Sequence, residues 1–281
     1  MTVGLVLEGG GMRGLFTAGV IDVLLENKIH IDTTIGVSAG AVFGMNFKSG
    51  QIGRVLRFNL KYCQDPRYMS VRSLIKTGDI YGADFCYNQL TYHLDPFDYR
   101  EFGRSPMKFY VVCTDLNSGK AVYHLCPNGT PDDMIWMRAS ASMPMVSRNV
   151  EIDGNVYLDG GVADPIPIRF AESLGFDKII IVRTRPADEI YEPQAGMWYA
   201  RRIYRKYPAF IKIFAERHIL YQEQATYINN LEKDGKIFII QPNKTLDVRV
   251  NENIPEKLQN AYDIGRSEAT INIESLKEYL R

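Results

Sequence analysis

Three short glycine-bearing segments carry the residue types that acyl transfer needs. Gly36-Val37-Ser38-Ala39-Gly40 is a G-x-S-x-G pentapeptide between a β-branched apolar run and a small-residue run. On a tight strand-to-helix turn, such a serine is held in strained backbone geometry with its hydroxyl above the sheet. Gly36 and Gly40 let strand and helix backbones pass without a Cβ clash, and the new helix points its first N–H groups at the same space. The pentapeptide alone also suits a glycine-flanked serine that merely caps a helix.

The second segment, Gly9-Gly10-Gly11-Met12-Arg13-Gly14, also lies between a strand and a helix. Gly9, Gly11 and Gly14 satisfy the G-x-G-x-x-G dinucleotide fingerprint. Adjacent glycines equally expose backbone N–H groups in a concave nest that binds an oxyanion. A dinucleotide site wants an acid at the end of the next strand, to hold the ribose. Here that strand ends in Gly36-Val37-Ser38, and Asp32 stands at its start. Loop and elbow together favour an oxyanion nest beside a hydroxyl nucleophile.

The third segment is Asp159-Gly160-Gly161, at the end of a predicted strand where parallel sheets gather functional loops. An aspartate before glycine is also an ordinary turn pair, so both readings stand. Of His30, His93, His124 and His218, only His218 follows Asp159, as a serine–acid–histidine order requires. It sits in an aromatic and basic stretch with no glycine-marked loop.

The elements that would position these groups follow from periodicity. Residues 2–8 form a buried strand, and apolar residues recur at helical spacing from Arg13 to about Asn27. Residues 32–37 are a second strand, and 39–48 a buried helix. This alternation predicts an α/β fold, with a mostly parallel central sheet and helices on both faces. Residues 48–105 read as helices and loops over the sheet edge. Strands follow at 108–114 and 121–125, joined by a DLNSGK turn, then a helix at 131–140 and a hairpin about Asp153-Gly154. A helix at 168–174, a strand at 178–184, helical texture over 195–231, a strand at 236–241 and a terminal helix at 256–281 complete the chain.

Zero formal net charge argues against a nucleic-acid partner. The cysteines Cys63, Cys86, Cys113 and Cys126 have no zinc-ligand spacing and read as reduced thiols. No calcium loop is present, so neither metal nor cofactor is expected. The first residues lack the basic and apolar runs of a signal peptide, and no stretch approaches the ~20 apolar residues of a membrane span. A cytoplasmic protein is expected, with peripheral contact to a membrane surface.

Taken together, these motifs resemble the patatin-like phospholipases, and in particular their bacterial members. Gly9 to Gly14 matches the family's G-G-G-x-R-G loop, Gly36 to Gly40 its G-x-S-x-G, and Asp159 to Gly161 its D-G-G. Ala139-Ser140-Ala141-Ser142-Met143-Pro144 matches the serine-rich segment that precedes the aspartate. The order and spacing hold over residues 2–185. The resemblance implies a three-layer sandwich and a serine lipid acyl hydrolase. It also implies a Ser38–Asp159 dyad without histidine, and an oxyanion hole from the Gly10, Gly11 and Met12 N–H groups. Arg13 would brace that loop or draw an anionic head group. A nucleotide-binding protein and a non-catalytic lipid-binding module on the same fold are the competing functions.

The resemblance fades after residue 185, so residues 186–281 read as a helical extension with one late strand, packed on the same domain. Two stretches, one there and one upstream, suit either an anionic lipid surface or a helix packed on the core with a solvated basic face. Residues 48–76 hold Lys48, Arg54, Arg57, Lys61, Arg67, Arg72 and Lys76 against Asp65. Residues 198–218 interleave aromatic side chains with Arg201, Arg202, Arg205, Lys206, Lys212 and Arg217, and Ile203, Tyr207, Phe210 and Phe214 would share one helix face.

Overall fold

The computed structural model describes residues Met1–Arg281. In chain order the elements are β1 (Val3–Leu7), α1 (Gly14–Glu26), β2 (Thr33–Val37), α2 (Ala39–Lys48), α3 (Arg54–Tyr62), α4 (Val71–Thr77) and α5 (Tyr99–Arg104). Then come β3 (Lys108–Asp115), β4 (Ala121–Leu125), α6 (Pro131–Ser140), β5 (Val150–Ile152), β6 (Asn155–Asp159), α7 (Ile168–Ser173) and β7 (Lys178–Val182). The chain ends with α8 (Met197–Ile203), α9 (Pro208–Lys233), β8 (Phe238–Ile240) and α10 (Pro255–Tyr279). A π-helical stretch at Phe85–Leu94 lies between α4 and α5.

One eight-stranded sheet runs β5-β6-β3-β2-β1-β7-β8, with β4 also paired to β3. The β3-β2-β1-β7-β8 core is parallel, whereas β4, β5 and β6 pair antiparallel. The side-chain alternation of β1 shows why the fold has three layers. Leu5 and Leu7 join a core with α1, α2 and α10, while Val6 joins another with α7 and α9. The mostly parallel α/β sandwich expected from the sequence is therefore present. Residues after 185 add β8 to the sheet and cover both of its faces, through α9 and α10.

Two expectations change. Ile203, Tyr207, Phe210 and Phe214 do not share a helix, because α8 ends at Ile203 and a new helix begins at Pro208. Proline lacks the N–H that a continuing helix would need and fits the first helical position instead. Phe210 and Phe214 are buried, while Ile203 is 41% exposed. Nor do the cations of 48–76 form one surface. Lys48 and Arg54 are buried, and the exposed Arg57 and Arg67 pair with Asp95 and Asp65, which leaves Lys61, Arg72 and Lys76 as the exposed cations without an ion pair.

Sheet register brings the motifs together. Val37, the last residue of β2, pairs with Val112 of β3, and Asp159, the last of β6, pairs with Cys113. Because β4 occupies the other edge of β3 at Cys113 and Thr114, β6 must take the β2 edge just where β2 ends. Ser38 and Asp159 thus leave their strands side by side.

Candidate active site

Ser38 has φ 54° and ψ −120°, a left-handed backbone conformation in a residue with a Cβ. Packing around the turn enforces it. A Cβ at Gly36 would stand 2.6 Å from Ala41 Cα, and one at Gly40 would collide with the Leu7 carbonyl oxygen. The Ser38 N–H donates to Ser140 Oγ at 2.9 Å, and that hydroxyl donates to the Val112 carbonyl at 2.6 Å. The serine-rich segment therefore holds the turn from behind. It also holds the neighbouring strand end, since the Asp159 N–H donates to the Ser142 carbonyl at 2.9 Å.

The Ser38 hydroxyl donates to Asp159 Oδ2 at 2.6 Å. Asp159 Oδ1 accepts the Gly161 N–H at 2.8 Å, so the carboxylate is clamped with one oxygen turned to the serine. Burial pushes the Asp159 pKa up, opposed by the Ser38 hydroxyl, the charge of Arg217 and the Gly161 N–H. A carboxylate so raised is a stronger proton acceptor than a solvated one. None of the four histidines lines a cavity that reaches Ser38. His218 lines a groove with Ile190, Gln222 and Tyr227, and His124 stacks on Trp136.

The glycine loop passes over the same turn. Gly10 and Gly11 take φ 156° and 57°, which side-chain-bearing residues rarely adopt. Their N–H groups donate to no loop, turn or side-chain acceptor. Met12 differs from the expectation, because its N–H donates to the Val250 carbonyl at 3.0 Å. An N–H already bound to a carbonyl is not free for an oxyanion, so the exposed donors narrow to the glycines. Gly9 is fixed by its carbonyl, which accepts the Thr184 hydroxyl at 2.8 Å. Arg13 makes no side-chain hydrogen bond or ion pair, and its Nε is buried without a partner. It does not brace the loop by hydrogen bonding.

Two cavities meet at Ser38, Gly11 and Met143. One is apolar, with 14 hydrophobic residues among its 18, including Phe43, Phe58, Tyr87, Leu90 and Met134. The other is polar and holds Arg13, Arg185, Arg217, Glu8, Asp159 and Tyr191. Glu8 is pinned there by the Thr184 N–H at 2.7 Å and the Tyr221 hydroxyl at 2.6 Å. A metal site is less well served. His124, Cys126 and Asp133 bring donor atoms within 4.8 Å of one another, yet Asp133 Oδ2 already accepts the Asn128 and Gly129 N–H groups.

Sequence reasoning missed Glu8, Thr184, Tyr221, Val250 and the inward turn of Arg217. Val250 acts through a backbone carbonyl, which leaves no side-chain signature. Arg217 donates from Nε to the Gly161 carbonyl, 56 residues away, and so is not one of the surface cations. Its spacing from Phe214 and Tyr221, both buried, was the available clue.

Several known proteins are similar to this chain in sequence. The chain is 27% identical over 94% of its length to the uncharacterized protein YjjU of Escherichia coli (strain K12), covering 75% of that protein. It is 28% identical over 78% of its length to an uncharacterized NTE family protein of Mycobacterium bovis, covering 60% of it. To lysophospholipase nte1 of Emericella nidulans it is 28% identical over 70% of its length, but it spans only 13% of that protein. VipD of Legionella pneumophila superposes over 98% of this chain and 67% of its own, with TM-score 0.49 and 12% identity. Residues 207–281 match the model of a domain of unknown function, DUF6363. Residues 5–172 match the model of the patatin-like phospholipases, and the chain belongs to that family.

Proposed function

We propose that this chain is a serine lipid acyl hydrolase of the phospholipase or lysophospholipase type, with Ser38 as nucleophile and Asp159 as general base. The observation that carries the reading is the 2.6 Å hydrogen bond from Ser38 Oγ to Asp159 Oδ2, at the meeting point of an apolar and a polar cavity. An amphipathic ester fits such a pair, with its acyl chain among Phe43, Phe58 and Leu90 and its polar end toward Arg13 and Arg185.

In this mechanism Ser38 Oγ attacks the ester carbonyl as its proton passes to Asp159 Oδ2. The Gly10 and Gly11 N–H groups stabilise the tetrahedral oxyanion, each donor contributing roughly 3–4 kcal/mol in comparable sites. Collapse breaks the bond to the leaving alcohol, which takes the proton from Asp159. Water then attacks the acyl-serine, gives a proton to Asp159, and releases the fatty acid as Ser38 recovers its hydrogen. No cofactor enters these steps.

Access to aggregated substrate is the role we assign to α8. Trp198, Tyr199 and Ile203 are 76%, 44% and 41% exposed, beside exposed Arg201, Arg202, Arg205 and Lys206. Tyr204, just after α8, accepts the Met145 N–H at 2.8 Å, and Met145 lines the polar cavity. An apolar and cationic patch on that rim suits an anionic lipid surface. No helix of the chain is long and apolar enough to cross a membrane.

The test is a panel of phospholipid, lysophospholipid and soluble ester substrates, assayed with wild type and Ser38→Ala, plus labelling by a fluorophosphonate. Hydrolysis and labelling by wild type, both lost in a folded Ser38→Ala, are expected. Persistent acyl-enzyme formation in the variant would overturn the assignment.

A further inference from the structure

We propose that Arg217, supplied by the C-terminal region whose role is unassigned, is the positioning residue of the Asp159 base. The inference rests on the hydrolase reading above.

The geometry is a relay through one residue, Gly161. Arg217 Nε donates to the carbonyl of Gly161, and the N–H of the same residue donates to Asp159 Oδ1 at 2.8 Å. Fixing Gly161 fixes which carboxylate oxygen is occupied, and Oδ2 is left for Ser38 at 2.6 Å. Arg217 Nη2 lies 3.4 Å from where a Gly161 Cβ would stand, so the guanidinium packs against the base loop. A planar fork suits this work better than a flexible ammonium.

The arginine is itself held. Phe214 and Tyr221 bury the same face of α9, and the guanidinium packs over the Tyr191 ring at 5.1 Å. It makes no ion pair with any carboxylate within 4.0 Å, so its charge is not cancelled by a direct partner. The polar cavity that Asp159 lines also holds Ser38 from the elbow, Glu8 just after β1, Arg13 from the glycine loop, and Arg185 and Tyr191 beyond β7. Tyr221 of α9, Tyr87 and Cys113 complete its ionisable surroundings. Among these, Arg217 is the cation that opposes the effect of burial on Asp159.

A positioning and charge-holding role differs from simple packing in its pH signature. With a soluble, uncharged short-chain ester, Arg217→Met should lower kcat/KM by about tenfold to a hundredfold at neutral pH. The loss should fall on kcat. The acid limb of the profile should move up by about one pH unit, with partial recovery in alkali. Arg217→Lys keeps the charge but not the fork, so it should leave the limb in place and lower kcat. The pH dependence of fluorophosphonate labelling reads Ser38 activation without lipid binding and should shift in parallel.

A loss in Arg217→Met that is uniform across pH, an unchanged profile, or a rise in KM alone would overturn the proposal. Should Arg217→Met fail to fold, as judged by circular dichroism, Arg217→Lys decides. Wild-type kcat in that variant overturns the proposal, and reduced kcat on an unmoved limb supports it. Wild type inert toward every ester and the probe would instead overturn the hydrolase reading.

Discussion

Ser38 and Asp159, 121 residues apart in sequence, are neighbours because the strands that deliver them end against consecutive residues of β3. Val112 receives the end of β2 and Cys113 the end of β6, so the contact is set by sheet register. The distance between the two groups is therefore part of the core, and the carboxylate's chemistry can be changed without loosening it. Asp159→Asn should keep the fold and lose activity by about 10²–10⁴-fold, since an amide cannot take the serine proton. Its Tm should hold or rise. With the folded pKa raised, the ionised carboxylate destabilises the native state at neutral pH, and a neutral amide removes that cost. Calorimetry beside an ester assay checks both halves, and an active Asp159→Asn would remove the base from the mechanism.

The direction of the Asp159 shift also sets the pH dependence. In the proposed mechanism Asp159 acts only when ionised, and burial raises its pKa against the Ser38 hydroxyl, Arg217 and the Gly161 N–H. Activity should be present above that raised pKa and lost as pH falls through it, with a midpoint above the ~3.9 of a free aspartate. His218→Gln should leave this limb in place and the rate within about tenfold, because His218 lines neither cavity at Ser38 and has no part in the proposed mechanism. A limb that vanishes with His218 would support a triad.

Gly11→Ala tests the glycine loop. The position has φ 57°, and a Cβ would run into the Val250 carbonyl oxygen, a backbone atom that also holds the Met12 N–H. Relief requires either loop to move, so the variant should lose roughly 1 kcal/mol or more of stability. The N–H groups of Gly10 and Gly11 would tilt away from the oxyanion. Steady-state kinetics should show kcat falling more than KM changes, because the interaction is strongest in the transition state. A change confined to KM would point to ground-state binding.

The sequence made the geometry of the site legible where a backbone constraint demands a residue type. Gly36, Gly40, Gly10 and Gly11 are needed by close approach or positive φ, and Ser38 sits where they place it. The three-layer fold was legible because strands buried on both faces read as continuous apolar runs. What stayed hidden acts through the backbone or across long separations. Val250 contributes only a carbonyl oxygen, and Ser140 looks like any helix-end serine until its hydroxyl is seen to bridge Ser38 and Val112. The cations of 48–76 misled for the opposite reason. Charge was visible, but Asp95, which pairs with Arg57, lies outside the stretch.

The surface of α8 gives the last expectation. Arg201, Arg202 and Arg205 are exposed, and Trp198 beside them is 76% exposed. Each cation near an anionic bilayer contributes about 1 kcal/mol, an attraction that salt screens over roughly 8–10 Å. Wild type should therefore bind vesicles containing phosphatidylserine weakly and in a salt-sensitive way, and bind neutral vesicles little. Reversing the three arginines to glutamate should abolish that binding and lower activity on aggregated lipid. Activity on a soluble short-chain ester should survive, because none of the three lines the cavities around Ser38. Trp198→Ala should weaken binding while leaving its salt dependence intact, since the ring contributes apolar burial and no charge. Co-sedimentation at low and high salt, with both substrates assayed in parallel, separates these effects. Binding indifferent to lipid charge, or equal loss on both substrates, would return α8 to a purely structural role.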